Sequence, residues 1–143
     1  MSLDRIRLAS LHNKVISAEE AAKFIKDGMT VGMSGFTRAG EAKAVPLALV
    51  EQAKNNPLKI TLITGASLGN DLDKKLTETG VLARRLPFQV DNTLRKAINK
   101  GEVMFIDQHL SETVEQMRNG QLKKTELAII EAVAITEDGG IIP

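Results

Sequence analysis

The chain has 143 residues, the size of one ordinary domain and long enough to bury a core, with 43% hydrophobic and 26% charged side chains. Nineteen basic residues against eighteen acidic ones leave a formal charge of +1, so there is no basic excess to neutralise a run of phosphates and nucleic acid is not expected as a partner. The absence of cysteine excludes a disulfide framework, a thiolate nucleophile and a cysteine-based zinc site.

The N-terminus carries Asp4, Arg5 and Arg7 and has no apolar signal-peptide core. No apolar run approaches the roughly eighteen residues that a membrane helix needs. A cytoplasmic protein with no membrane segment is the expectation. Ser17-Ala18-Glu19-Glu20 reads as a capping box opening a helix, with Ala21, Ala22, Phe24 and Ile25 inward and Asp27-Gly28 as its stop. Residues 29–34 then form a short apolar strand, which runs into the glycine-punctuated loop Ser34-Gly35-Phe36-Thr37-Arg38-Ala39-Gly40. Pro46 suits the first turn of the next helix, which Asn55-Asn56-Pro57 closes.

Residues 58–64 alternate as a strand does and lead into a second small-residue loop, residues 65–70. A helix is expected over 71–79, and another from an Asp91 cap to Asn99, with Leu94, Ala97 and Ile98 on one face and Gly101 after it. Residues 103–106 read as a buried strand, Ser111 to Glu115 as the opening of a helix, and 127–135 as the last strong strand. Glu137-Asp138-Gly139-Gly140 is a hairpin turn with Ile141-Ile142-Pro143 as the start of a returning strand. Because that element stops short, a domain cut from a longer protein is the expectation. Helix and strand alternate throughout, which is the pattern of an α/β fold with a mostly parallel sheet covered by helices.

Chemistry in this pattern is sparse. The loops after the first two strands, at Ser34 to Thr37 and at Thr64 to Ser67, would both lie at the carboxyl edge of the sheet, where α/β folds gather ligands. A strand–glycine loop–helix unit presents backbone N–H groups to an anion, but glycines also serve simply to make tight βα turns, and both readings stand. Arg84-Arg85 reads as a solvated charge pair before it reads as an anion contact. His109, near Asp107, is expected to be a hydrogen-bonded structural residue. No metal-ligand spacing, nucleophile elbow, Walker lysine or intact dinucleotide fingerprint is present, and no pair of carboxylates marks a catalytic centre.

The ordered set of motifs carries more than any one of them. Ser34-Gly35-Phe36-Thr37 with Ala39-Gly40 and Pro46, Leu62 to Ser67, Arg85 with Pro87-Phe88, Leu94-Arg95 with Ile98-Asn99, Phe105-Asp107-His109-Leu110, and Glu131-Ala132 with Glu137 to Gly140 follow one another as in the acetyl-CoA hydrolase/transferase family. Over essentially its whole length the chain resembles the N-terminal domain of these class I CoA-transferases. The resemblance implies one half of a two-domain enzyme that moves CoA between an acyl-CoA and a short carboxylate through a glutamyl-CoA thioester, with CoA as substrate, no metal, and a dimer as the assembled form. It implies that the nucleophilic glutamate and the Gly-rich CoA segment lie in the other half, so no residue of this chain is assigned as catalytic and residues 1–143 alone are expected to be inactive.

The same resemblance assigns Ser34, Gly35, Phe36, Thr37, Gly65, Ser67 and Val90 to the substrate pocket, with Ser67 as a carboxylate donor. Val90 stands where some relatives have threonine, and Arg38 where small residues or proline are common; the first difference predicts a more apolar acyl group or acceptor. Acyl-CoA hydrolysis, a stand-alone non-catalytic ligand-binding module, and an interface domain for the missing half are the alternatives.

Overall fold

A computed structural model describes residues 3–67 and 72–143 of the chain. The sequence expectation for Leu68, Gly69, Asn70 and Asp71 lies outside the described residues. Five strands form one parallel sheet in the order β4-β3-β2-β1-β5. These are β1 (Thr30–Met33), β2 (Ile60–Thr64), β3 (Leu82–Leu86), β4 (Met104–Phe105) and β5 (Leu127–Ile129). The helices are α1 (Ala18–Ala22), α2 (Ala44–Asn55), α3 (Leu72–Glu78), α4 (Asn92–Asn99) and α5 (Leu110–Arg118). A separate antiparallel hairpin, β6 (Ala134–Ile135) with β7 (Ile141–Ile142), closes around Gly139 at φ 88°.

The period of two along the strands divides the molecule into layers. Val31, Met33, Ile60, Leu62 and Leu82 point to one face and pack with Leu49, Leu76 and Leu94 of the helices in a fully buried core. Gly32, Ile63 and Ala128 lie on the opposite side, beside Leu110 and Val114 of α5. Among the described residues no helix is long and apolar enough to cross a membrane.

Most predicted helix signals are used as read. The Ser17 hydroxyl accepts from the Glu20 amide at 3.1 Å while the Glu20 carboxylate accepts from the Ser17 amide at 2.9 Å. Asp91 caps α4 by accepting from the amides of Thr93 and Leu94. His109 is structural, its ring capping α5 at the Ser111 amide.

Other expectations are corrected. Phe24 does not point inward; it is 61% exposed. After Ala22 the amides of Lys23, Phe24 and Ile25 each bond back three residues, so the chain tightens to threefold geometry. Ile25 then eclipses Ala22 and stays in the core while Phe24 swings out. Residues 127–135 are not one strand. β1 ends at Met33, so β5 loses its partner after Ile129, and residues 134–135 pair instead with β7. The strand expected over 103–106 shrinks to Met104–Phe105 at the sheet edge, with Met104 60% exposed.

The sequence reading has no strand at β3, and Arg84-Arg85, expected there as a solvated charge pair, is not one. β3 carries one extra residue against β2: Leu82 pairs with Ile60, but Arg84 pairs with Thr61 and Arg85 with Leu62. This bulge turns Arg85 to the core face and Arg84 to the other. Arg85 is completely buried, as is its partner Asp73 on α3.

Candidate functional site at the carboxyl edge of the sheet

Strand order defines where a ligand would sit. From β1 the sheet grows through β2 and β3 to β4, and then the chain returns to the other side of β1 as β5. The loops leaving β1 and β5 therefore diverge, and an open α/β sheet binds ligands in the crevice at such a reversal. Here a cavity of about 370 Å³ is lined by Ser34, Gly35, Phe36, Gly40, Ile130 and Glu131. A second, more apolar cavity of about 390 Å³ continues from Ser34 and Gly65 to Ile63, Leu110, Val114 and Met117.

The loop after β1 is a tight hairpin: Phe36 and Ala39 exchange backbone hydrogen bonds, both at 2.9 Å. Thr37 at its tip has φ 55°, a left-handed conformation that is costly for a β-branched residue. Its amide donates to the Ala66 carbonyl at 2.8 Å, so the first loop pairs with the second as Thr37 beside Ser67. Gly35 and Gly65 permit this closeness. A Cβ on Gly65 would stand 3.1 Å from the Gly35 carbonyl, and one on Gly35 would stand 3.2 Å from the Ser67 side chain.

Side chains complete the junction. The Ser34 hydroxyl donates to the Gly40 carbonyl at 2.6 Å and accepts from the Glu131 amide at 2.8 Å, tying the β1 loop to the chain leaving β5. Lys43 Nζ donates to the Glu41 carbonyl at 3.0 Å and to both oxygens of the Glu131 carboxylate. The Ser67 hydroxyl donates to Glu41 Oε1 at 3.2 Å, with both residues buried.

Six of the seven sequence-assigned residues thus meet in one structure: Ser34, Gly35, Phe36, Thr37, Gly65 and Ser67. Their parts differ from the expectation. The Phe36 ring is 70% exposed and free to meet a ligand, whereas Ser34 and Ser67 spend their hydroxyl protons on the protein. Val90 stands apart, in the loop between β3 and α4 at the same sheet edge, its carbonyl accepting from Arg95 Nη2 at 3.4 Å. Sequence reasoning missed Glu41, Lys43 and the Asp73–Arg85 pair. A single charge carries no local sequence signal of the partner it will meet, and Glu131 was visible only as a family motif.

The strongest electrostatic feature lies beneath this edge. Arg85 Nε donates to Asp73 Oδ1 at 2.9 Å, Nη2 to Oδ2 at 3.3 Å, and Nη1 to the Leu86 carbonyl. Burial pushes the Asp73 carboxyl above its ordinary value, and the Arg85 guanidinium holds it back. The pair anchors the end of β3, from which the Val90 loop departs. Among the described residues no cluster of three or more His, Asp or Glu is placed to hold a metal ion.

Solved structures share this fold. An acyl-CoA transferase from E. coli O157:H7, determined as a thioester complex with CoA, superposes with a TM-score of 0.60 at 16% identity, covering 76% of this chain and 23% of that one. The chain belongs to the acetyl-CoA hydrolase/transferase family, whose N-terminal domain model matches residues 2–143. It is 44% identical to the succinyl-CoA:acetate CoA-transferase of Clostridium kluyveri, over 97% of this chain and 26% of that protein. It is 39% identical to an acetyl-CoA hydrolase of Kluyveromyces lactis, over 98% and 29% respectively. With the propanoyl-CoA:succinate CoA transferase of Escherichia coli K12 it shares 38% identity, over 88% and 27%. The chain therefore spans little more than a quarter of the length of these relatives.

Proposed function

We propose that this chain forms one wall of the acyl and carboxylate pocket of a cytoplasmic, dimeric CoA-transferase. The observation that carries this reading is the lock between the loops after β1 and β2, beside the β1/β5 reversal, in a chain of this family. The nucleophile is supplied by the remainder of the protein, a second α/β half. There a glutamate carboxylate attacks the thioester carbonyl of an acyl-CoA and expels the CoA thiolate, giving an acyl-glutamyl anhydride. The thiolate then attacks the glutamyl carbonyl, releasing the first acid and leaving a glutamyl-CoA thioester, which the acceptor carboxylate enters by the reverse route. Backbone amides stabilise each tetrahedral oxyanion.

The contribution of this chain is shape and exclusion of water. Phe36 and the apolar cavity beyond Gly65 meet the acyl chain, Val90 supplies a methyl surface where a threonine would supply a donor, and Ser34 and Ser67 hold the wall. Acyl-CoA hydrolysis is the second reading, favoured by relatives that are named acetyl-CoA hydrolases. Conversion of a panel of acyl-CoAs to the acceptor's CoA thioester, measured beside free thiol release with and without carboxylate acceptors, tests both on the full-length protein. Formation of the acceptor's CoA thioester without net thiol release supports transfer, and free thiol released without an acceptor replaces transfer by hydrolysis. Val90→Thr is expected to shift the acceptor ranking toward acetate, and an unchanged ranking removes Val90 from the specificity wall.

A further inference from the structure

Glu41 is buried to 8% exposure beside Ala42, just after the exposed residues 36–39 of the same loop, and its carboxylate accepts the Ser67 hydroxyl. Its Cα lies 3.6 Å from where a Gly35 side chain would begin, so it packs directly under the first loop. Its backbone carbonyl is held by Lys43, which also holds Glu131 and so reaches the β5 side of the crevice. Glu41 thus joins the loops after β1 and β2 through its side chain, beside the Thr37–Ala66 backbone bond.

We propose that Glu41 is a positioning residue for the substrate wall: by accepting from Ser67 it fixes residues 65–67 against Gly35–Thr37 and so sets where Phe36 and Thr37 stand. Ser67 then acts on substrate through the loop it anchors. The proposal rests on the reading of this edge as the substrate pocket. The role needs an acceptor at Glu41 and does not need its charge, since the contact used is one hydrogen bond to a neutral hydroxyl. Glutamine keeps that acceptor and the side-chain length, whereas alanine leaves the Ser67 hydroxyl buried without this partner.

The test uses the full-length protein with Glu41→Gln, Glu41→Ala, Ser67→Ala and the double variant Glu41→Ala/Ser67→Ala. Amide hydrogen exchange over residues 36–40 reads the wall directly, without turnover. It is expected to speed up about tenfold in Glu41→Ala and in Ser67→Ala, to stay near wild type in Glu41→Gln, and to be no faster in the double variant than in either single one. In acetyl-CoA:carboxylate exchange the alanine variants should raise KM for both substrates about tenfold, with Glu41→Gln restoring it. Unchanged exchange in the alanine variants overturns the proposal, as does a Glu41→Gln variant that behaves like alanine or a double variant that adds the two single effects. A wild-type protein with no acyl-CoA activity removes the proposed function, while the exchange measurement still decides whether Glu41 positions the wall.

Discussion

Replacing Arg85 by methionine should be the most damaging single change in the core of this domain. Methionine fills much of the same volume, so the cost is electrostatic: Asp73 remains completely buried with its guanidinium partner gone, and the Leu86 carbonyl loses a donor. Breaking a buried ion pair from one side costs about 3–5 kcal/mol, against a total stability of roughly 5–15 kcal/mol for a domain. In urea, with a slope of about 1–3 kcal/mol per molar, that lowers the unfolding midpoint by about 2 M. The variant Asp73→Leu/Arg85→Met removes both charges and should return to within about 2 kcal/mol of the wild type, because the desolvation cost of the pair disappears with it.

Acid should also rescue the single variant. Burial already raises Asp73 above its ordinary value, and without Arg85 it rises further. A carboxyl raised in the fold is best tolerated below its unfolded value, and stability falls as pH rises through the folded value. Arg85→Met should therefore lose less stability near pH 4 than at pH 8. Single and double variants whose effects simply add, at every pH, would refute the reasoning.

Gly65→Ala should destabilise by about 1–3 kcal/mol in thermal unfolding, because the new methyl meets the Gly35 carbonyl, backbone that cannot step aside; a neutral result would show that the loops are not in contact. Thr37→Asn places a residue tolerant of positive φ at an exposed left-handed position, so thermal unfolding should show a gain of up to about 1 kcal/mol and no loss. The Glu126 carboxylate accepts the Thr30 amide at 2.8 Å, a bond that holds it below its ordinary value, with Lys123 assisting. Its contribution is present above the unfolded carboxylate value and is lost as pH falls through the folded one. Glu126→Ala should accordingly flatten the acid side of the stability–pH curve, measured by urea midpoints at successive pH values, and an unaltered slope there would count against it.

Much of this was legible from one sequence because the relevant signals are local. The Ser17 box, the Asp91 cap, the glycines after Asp27 and Lys100, and the alternation of residues 60–64 depend on hydrogen bonds and side-chain periods within a few residues. They specify an α/β chain with two small-residue loops after its first strands. The ordered motifs also specify the family.

Long-range pairing decided the rest. Nothing local in Leu82-Ala83-Arg84-Arg85-Leu86 says that this is an interior strand, because the bulge that sends Arg85 into the core exists only opposite Ile60 and Thr61 of β2. Nor does any local feature place β5 beside β1, and that neighbour relation creates the crevice and stops the strand at Ile129. Glu41 likewise becomes buried only when Ser67 arrives from the next loop. Sequence alone determined the helices with local caps, the first two strands and which loops carry small residues. The tertiary structure decided which charges are buried and which hydroxyls face the protein, because the cost of burying a polar group depends on a partner far away along the chain.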